Sequence, residues 1–293
     1  MILDQIVEDK KRRLPAHKAR YSFETVRREA EEKAAIEEKA AADAQAAGGA
    51  GASARCPDTE AGAGGGALSS GARESFFAAL KKPGLSIIGE FKQASPSLGN
   101  IKKTMELPER IAAYNTAVDA ISCLTEEDHF HGNIDYFREI RSISTLPMIR
   151  KDFMIDEYQF YEAKMIGADA ILLITAILDQ AQMKAFYQLT RELNMCALVE
   201  THDAHEVERA LDTGARIIGV NNRDLRDFTI RLETTRNLRP LVPEECCFVA
   251  ESGITNDEEL RFVKDCGIDA VLVGRAFMET DDPGSMARHW KAV

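Results

Sequence analysis

The chain has 293 residues, 45% hydrophobic and 29% charged, with a formal net charge of −11. That composition is enough for a sizeable core, and its acidity argues against a nucleic-acid groove or an anionic membrane surface as partner. No apolar run approaches the ~18–20 residues needed to span a bilayer.

In chain order, Ile2, Leu3, Ile6 and Val7 have the spacing of a short amphipathic helix, which assigns residues 1–27 to an N-terminal helical extension. The opening stretch "MILDQIVEDKKRRL" has no uninterrupted apolar segment and no small-residue cleavage site, so no signal peptide is expected and a cytoplasmic location is. Residues 28–73 are rich in Ala, Glu and Gly. The first part is helix-prone and almost free of large apolar residues. The second, "GGAGASARCPDTEAGAGGGALSSGA", is low-complexity and buries too little surface to offset its chain entropy. The segment is expected to be a mobile insertion. The six cysteines form no C-x-x-C pair, and several fall in apolar runs, as small buried hydrophobes of a reducing compartment do.

Residues 74–293 have a different texture. Eight short apolar runs alternate with helical patterns: "SIIGEFK" (86–92), "DAISCLT" (119–125), "PMIRKD" (147–152), "ADAILLI" (168–174), "CALVE" (196–200), "RIIGVN" (216–221), "CCFVAE" (246–251) and "AVLVG" (270–274). Continuous apolar strands between amphipathic helices indicate a parallel sheet. Capping-box spacings at Asp156–Gln159, Asp203–Glu206 and Thr255–Glu258 mark helix starts. A repeat, "GADAI" (167–171), "GARII" (214–218) and "GIDAV" (267–271), with a glycine-less copy "AVDAI" (117–121), places a helix-ending glycine before a strand. Eight such units predict an α/β fold, a (β/α)8 TIM barrel. No G-x-G-x-x-G or P-loop supports a doubly wound sheet instead.

Active sites of such barrels lie at the C-terminal strand ends. There the sequence places Glu90 and Lys92, then Ser95 and Ser97; Thr125, Glu126 and Glu127; Arg150, Lys151 and Asp152; Glu200; Asn221, Asn222 and Arg223; Glu251, Ser252 and Gly253; and Gly274 with Arg275. "ESGIT" and "VGRAF", after the seventh and eighth strands, put glycines where helices are expected to begin, a phosphate-binding arrangement to which Arg275 adds charge. Lys151, buried among charges, is expected to have a lowered pKa and to donate a proton, or to form a Schiff base, with Glu200 as a base. His202 and His205 lack zinc-protease spacing and read as solvated, with Asp203 as helix cap and no metal expected.

"IIGEFKQASPS", "LTEEDHF", "IRKDFMI", "LVETHD", "IGVNNRDL", "VAESGI" and "LVGRAFM" resemble the indole-3-glycerol phosphate synthase family in order and spacing, over about Leu85 to Met278. The resemblance implies a cofactor-free and metal-free carboxy-lyase of tryptophan biosynthesis. It closes the indole ring of 1-(2-carboxyphenylamino)-1-deoxyribulose 5-phosphate, releasing CO₂ and water. It further implies Lys151 as general acid, Glu200 as general base, Lys92 as partner of the anthranilate carboxylate and Glu90 as the group that orients and tunes Lys151. Asn221 and Glu251 line the reacting centre, Ser95 contacts substrate and Arg223 braces the catalytic face. Ser252, Gly253, Gly274 and Arg275 match the phosphate loops. Leu98 stands where a basic residue is frequent in the family, and the Ala/Gly-rich insertion is a departure in a region that helps cover substrate. A monomer or weak homo-oligomer is expected. Competing readings are a related barrel such as phosphoribosylanthranilate isomerase, which would call for a cysteine at the end of the first strand, and a non-catalytic metabolite-sensing barrel, which would lack Lys92, Lys151 and Glu200.

Overall fold

The computed structural model describes residues 2–46, 75–96, 99–102, 104–224 and 228–293. Eight strands close into one parallel barrel in sequence order: β1 (Ser86–Phe91), β2 (Ala120–Leu124), β3 (Met148–Lys151), β4 (Ala170–Ile174), β5 (Cys196–Thr201), β6 (Ile217–Asn221), β7 (Cys247–Glu251) and β8 (Ala270–Val273), which pairs back to β1. Each of the eight apolar runs holds one strand, and the expected (β/α)8 barrel is observed.

Strand alternation builds two apolar layers. Ile88, Ile149, Leu172, Leu198, Ile217, Val249 and Leu272 form the inner cluster, joined by Phe76 and Leu80 of the short helix α3 (Phe76–Leu80), near the start of β1. Ile87, Ile121, Ile171, Val199, Ile218, Phe248 and Val271 belong to the outer cluster, against the helices. Those helices are α4 (Leu107–Asn115), α5 (Ile134–Ile143), α6 (Glu157–Ile166), α7 (Gln180–Glu192), α8 (Ala204–Asp212), α9 (Glu233–Leu238), α10 (Asp257–Asp265), α11 (Arg275–Glu279) and α12 (Pro283–Ala292). Among the described residues no helix is long and apolar enough to cross a membrane.

The caps refine the sequence reading. Asp156 and Gln159 form the expected capping box on α6. Asp203 caps α8, but Glu206 turns to His202 rather than to Asp203. On α10 the cap is Asn256, one residue later than expected, and Glu259 reaches back to Thr255. In the repeats, Gly167, Gly214 and Gly267 all have positive φ, the left-handed ending that glycine adopts without a Cβ penalty.

The aspartate in the repeat has its own task. Asp119, Asp169 and Asp269 stand just before β2, β4 and β8. They accept the backbone N–H of Ile87 at 2.8 Å, Met148 at 2.9 Å and Phe248 at 2.8 Å, each on the preceding strand. Lys291, Arg141 and Lys81 respectively pair with them. These stitches lie at the N-terminal barrel face, where sequence features serve stability.

Ahead of α3 come α1 (Ile2–Arg20) and α2 (Phe23–Ala46). Residues 28–46, expected within a mobile insertion, are helical and belong to α2. Val26, Ala30 and Ala34, four apart, are buried, and α2 packs along α6. Small side chains at helical spacing allow close helix approach, so an Ala-rich stretch poor in large hydrophobes still docks. Asn194, just past α7, adds a tie by donating to the Ala34 carbonyl at 3.0 Å. Residues 47–73, with Cys56, and Ser97 and Leu98 lie outside the described residues.

Candidate active site

Continuing the inward-facing positions past the last apolar side chain of each strand gives Glu90 after Ile88, Lys151 after Ile149, Glu200 after Leu198 and Glu251 after Val249, with Asn221 two positions beyond Gly219, which follows Ile217 on the same face. These groups meet in one cavity at the C-terminal barrel face. Lys92, Ser95, Arg223, Ser252, Gly253, Gly274 and Arg275 line the same cavity, so all twelve site residues expected from the sequence surround one space. Its remaining wall is largely apolar and includes Ile2, Leu3, Ile6, Phe130, Phe153, Leu172 and Ile174.

Lys151 sits at the centre. Its Nζ is 2.5 Å from Glu251 Oε2 and 3.5 Å from Glu200 Oε2. Asn221 donates Nδ2 to Glu200 Oε1 at 3.2 Å. Glu90 does not touch Lys151: its partner is Lys92, at 2.7 Å. Burial favours a neutral Lys151, but the charges of Glu251, Glu200 and Glu90 outweigh it and hold the amine above the ordinary lysine range. This corrects the lowered pKa expected from the sequence. Sequence position implies burial but does not show the three carboxylates that face the amine. A held proton keeps the amine in its donor form and opposes the free amine that Schiff-base formation requires. Burial likewise pushes Glu251 up, to about 7, with Lys151 pulling the other way and Glu200 adding to the rise. Both shifts keep protons within the cluster.

Two glycines make room for these charges. A Cβ on Gly219 would lie 2.2 Å from Glu251 Oε1, and one on Gly274 would lie 2.3 Å from Glu90 Oε1 and 2.6 Å from Lys92 Nζ. Gly274 therefore serves the Glu90–Lys92 pair as well as the loop after β8.

The loops after β7 and β8, in the same cavity, suit an anion. Ser252 and Gly253 follow β7 with φ of 63° and 81°, a left-handed pair. Gly253 does not begin a helix as expected, because α10 starts at Asp257 under its own Asn256 cap. Gly274 does precede α11, with no side chain capping that helix. Arg223 is held through its backbone N–H to Asn221 Oδ1 at 3.0 Å. Burial and then the positive charge of Arg275 lower its pKa, so two guanidinium groups converge on one space. Ser95 Oγ is buried and lacks a hydrogen-bond partner among the described residues, an orphan a ligand can satisfy.

Helix α1 roofs the cavity with Ile2, Leu3 and Ile6 and is fastened by its polar side. Asp9 meets His129 at 2.9 Å, Lys10 meets Asp152 at 2.7 Å with both side chains buried, His17 meets Glu127 at 3.0 Å and Lys18 meets Asp156 at 2.9 Å. The strand-end residues Thr125, Glu126, Glu127, Arg150 and Asp152 belong to this fastening and its support. Thr125 donates to Asp152 at 2.7 Å, Arg150 pairs with Glu162 at 2.8 Å, and Glu126 accepts the N–H groups of Asp128, His129 and Phe130.

His202 corrects the sequence reading. His205 is exposed, but His202 is mostly buried, with Nε2 3.5 Å from Glu200 Oε1. The signal was its position two residues beyond Glu200, on the same face of the extended chain.

The family model described as indole-3-glycerol phosphate synthase matches residues 66–289. An indole-3-glycerol phosphate synthase of Lachnospira eligens is 42% identical, over 100% of this chain and 98% of its own length. One of Acetivibrio thermocellus is 47% identical over 74% of this chain and 85% of its own. A crystal structure of 3-hexulose-6-phosphate synthase from Salmonella typhimurium superposes with a TM-score of 0.57 at 14% identity, over 71% of this chain and 97% of that one, and so shares the barrel fold. With its motifs, its closed barrel, the family model over residues 66–289 and a relative matched over 98% of its length, this chain belongs to the indole-3-glycerol phosphate synthase family.

Proposed function

We propose that this cavity closes the indole ring of 1-(2-carboxyphenylamino)-1-deoxyribulose 5-phosphate, with Lys151 as the acid and Glu200 as the base. The observation that carries the assignment is Lys151 itself, a protonated amine held between Glu251 and Glu200 in the middle of the cavity. The substrate carries a carboxylate on an aromatic ring at one end and a phosphate at the other. Lys92 suits the carboxylate, and the walls from Ile6, Phe130 and Phe153 suit the ring. Ser252, Gly253, Gly274 and Arg275 suit the phosphate, with Arg223 bracing that side and Ser95 meeting a substrate polar group.

In the first step the ring carbon bearing the carboxylate bonds to the ketone carbon, and the ketone oxygen takes the Lys151 proton. CO₂ then leaves, and its bonding electrons restore the aromatic ring. The new hydroxyl takes a proton from Lys92, freed of its carboxylate partner once CO₂ has left, and departs as water, while Glu200 takes the proton whose loss forms the pyrrole double bond. Asn221 orients Glu200, and Glu251 holds Lys151 in place through both stages. Glu90 acts on Lys151 through its charge and on Lys92 by contact. Nothing in the family match favours the isomerase or the sensor reading.

The test is to incubate the purified chain with that substrate and follow indole fluorescence. Product formation is expected; a folded sample that forms none would refute the assignment.

A further inference from the structure

Glu206 has the position of a capping-box partner but serves another group. Its Oε2 accepts the backbone N–H of His202 at 2.7 Å, faces ring Nδ1 of His202 at 3.0 Å and lies 2.7 Å from the Thr175 hydroxyl. A carboxylate facing Nδ1 places a hydrogen on that nitrogen. The ring is thereby fixed with Nε2 turned to Glu200. Nε2 is buried, has no hydrogen-bond partner among the described residues and stands 3.5 Å from Glu200 Oε1. A closure of about 0.5 Å would bring the two to ordinary hydrogen-bond distance. None of the roles assigned above uses this ring.

We propose that His202 is the positioning residue of Glu200: braced by Glu206, its Nε2–H holds the Glu200 carboxylate in place, and loss of that proton sets an alkaline limit on turnover. The proposal rests on Glu200 acting as the base.

The charged groups around the ring agree. Glu206 faces it from α8, Glu200 from β5 and Glu251, farther off, from β7, while Lys151 lies across Glu200. Burial works against the charged ring, but the Glu206 hydrogen bond and the charges of Glu200, Glu206 and Glu251 outweigh it and raise the His202 pKa. A raised value means that the imidazolium persists above the ordinary histidine range and is lost as pH rises through the shifted value.

The test uses the full chain and two readouts. The first is ring titration by NMR. The chain has six histidines, and His202 is identified by the signal missing in His202→Gln. Glu200→Gln and Glu206→Gln are each expected to lower the His202 midpoint. The second is the pH profile of kcat. His202→Gln keeps an N–H donor of similar reach that does not titrate. It is expected to retain kcat within about tenfold and to lose the alkaline limb, whereas His202→Phe should lose about 10–100-fold at every pH. An alkaline limb unmoved in His202→Gln overturns the proposal. Loss of turnover in Glu200→Gln with an unchanged His202 midpoint overturns it alone. Near-normal turnover in Glu200→Gln overturns the base role and this proposal together.

Discussion

Gly219→Ala adds one methyl group inside the barrel, and its consequence can be worked from the contacts. The new Cβ would lie 2.2 Å from Glu251 Oε1 and 3.1 Å from Leu198 Cδ1, where ordinary contact begins at 3.4 Å. The carboxylate must therefore retreat by about 1.2 Å, the difference between the first and last of those distances. Its other oxygen holds Lys151 at 2.5 Å. Lengthening that pair by this amount removes about 2 kcal/mol of attraction at an effective dielectric of about 20. If the loss is felt in the transition state, kcat falls roughly 30-fold, with little change in Tm because a strand tolerates alanine. The assay is steady-state indole formation in Gly219→Ala, Glu251→Ala and the double variant. Once Glu251 is truncated, the added methyl should cost almost nothing further. Wild-type kcat in Gly219→Ala, or the same additional loss in the Glu251→Ala background, would refute the reasoning.

Other consequences follow from the roof and the barrel floor. His17 is raised to about 9, by its hydrogen bonds to Glu127 and then Glu162. Its contribution is complete below the unfolded value of 6.5 and is lost as pH rises through about 9. After solvent screening it amounts to about 1–2 kcal/mol, so wild type should lose that much more stability than His17→Gln between these pH values. Equal pH slopes in urea unfolding would contradict this. Lys10→Met strips Asp152 of one buried cation but leaves it Arg150 and Thr125. A loss of about 3 kcal/mol and a raised KM are expected, and an unchanged Tm and KM would show that α1 is not fastened there. Asp169→Ala should cost about 1–3 kcal/mol by orphaning the Met148 N–H with kcat unchanged, since it acts at the opposite barrel end; equal loss of kcat at constant stability would rule that out.

The barrel and the ring of strand ends were legible because they depend on local rules. Apolar runs of strand length, glycines before them and the period-two alternation place Glu90, Lys151, Glu200, Asn221 and Glu251 on the inner face without knowledge of contacts. What was not legible depends on partners distant in sequence. That Lys151 pairs with Glu251 and Glu200 rather than with Glu90 follows from the order of strands around a closed barrel and from the space left by Gly219. The raised Lys151 pKa follows from the same convergence. The docking of α2 was hidden because its stripe of Val26, Ala30 and Ala34 is made of small residues, and low apolar content reads as solvation. A sign of it existed in α6, where Tyr158 through Ile166 are buried on every side and so call for a second covering layer. His202 is obscured by its chemistry: a histidine near a helix cap suits a metal ligand or a solvated side chain, although its register with Glu200 puts it beside the base.

The central claim is that Lys151 delivers the proton that closes the ring. The direct measurement is single-turnover indole formation by Lys151→Ala and Lys151→Arg at saturating substrate, beside substrate binding by the same variants. A fall in rate of at least about 10³-fold in both, with binding retained in part, is expected, because arginine keeps the charge but does not release its proton. Turnover near the wild-type rate in either variant would contradict it.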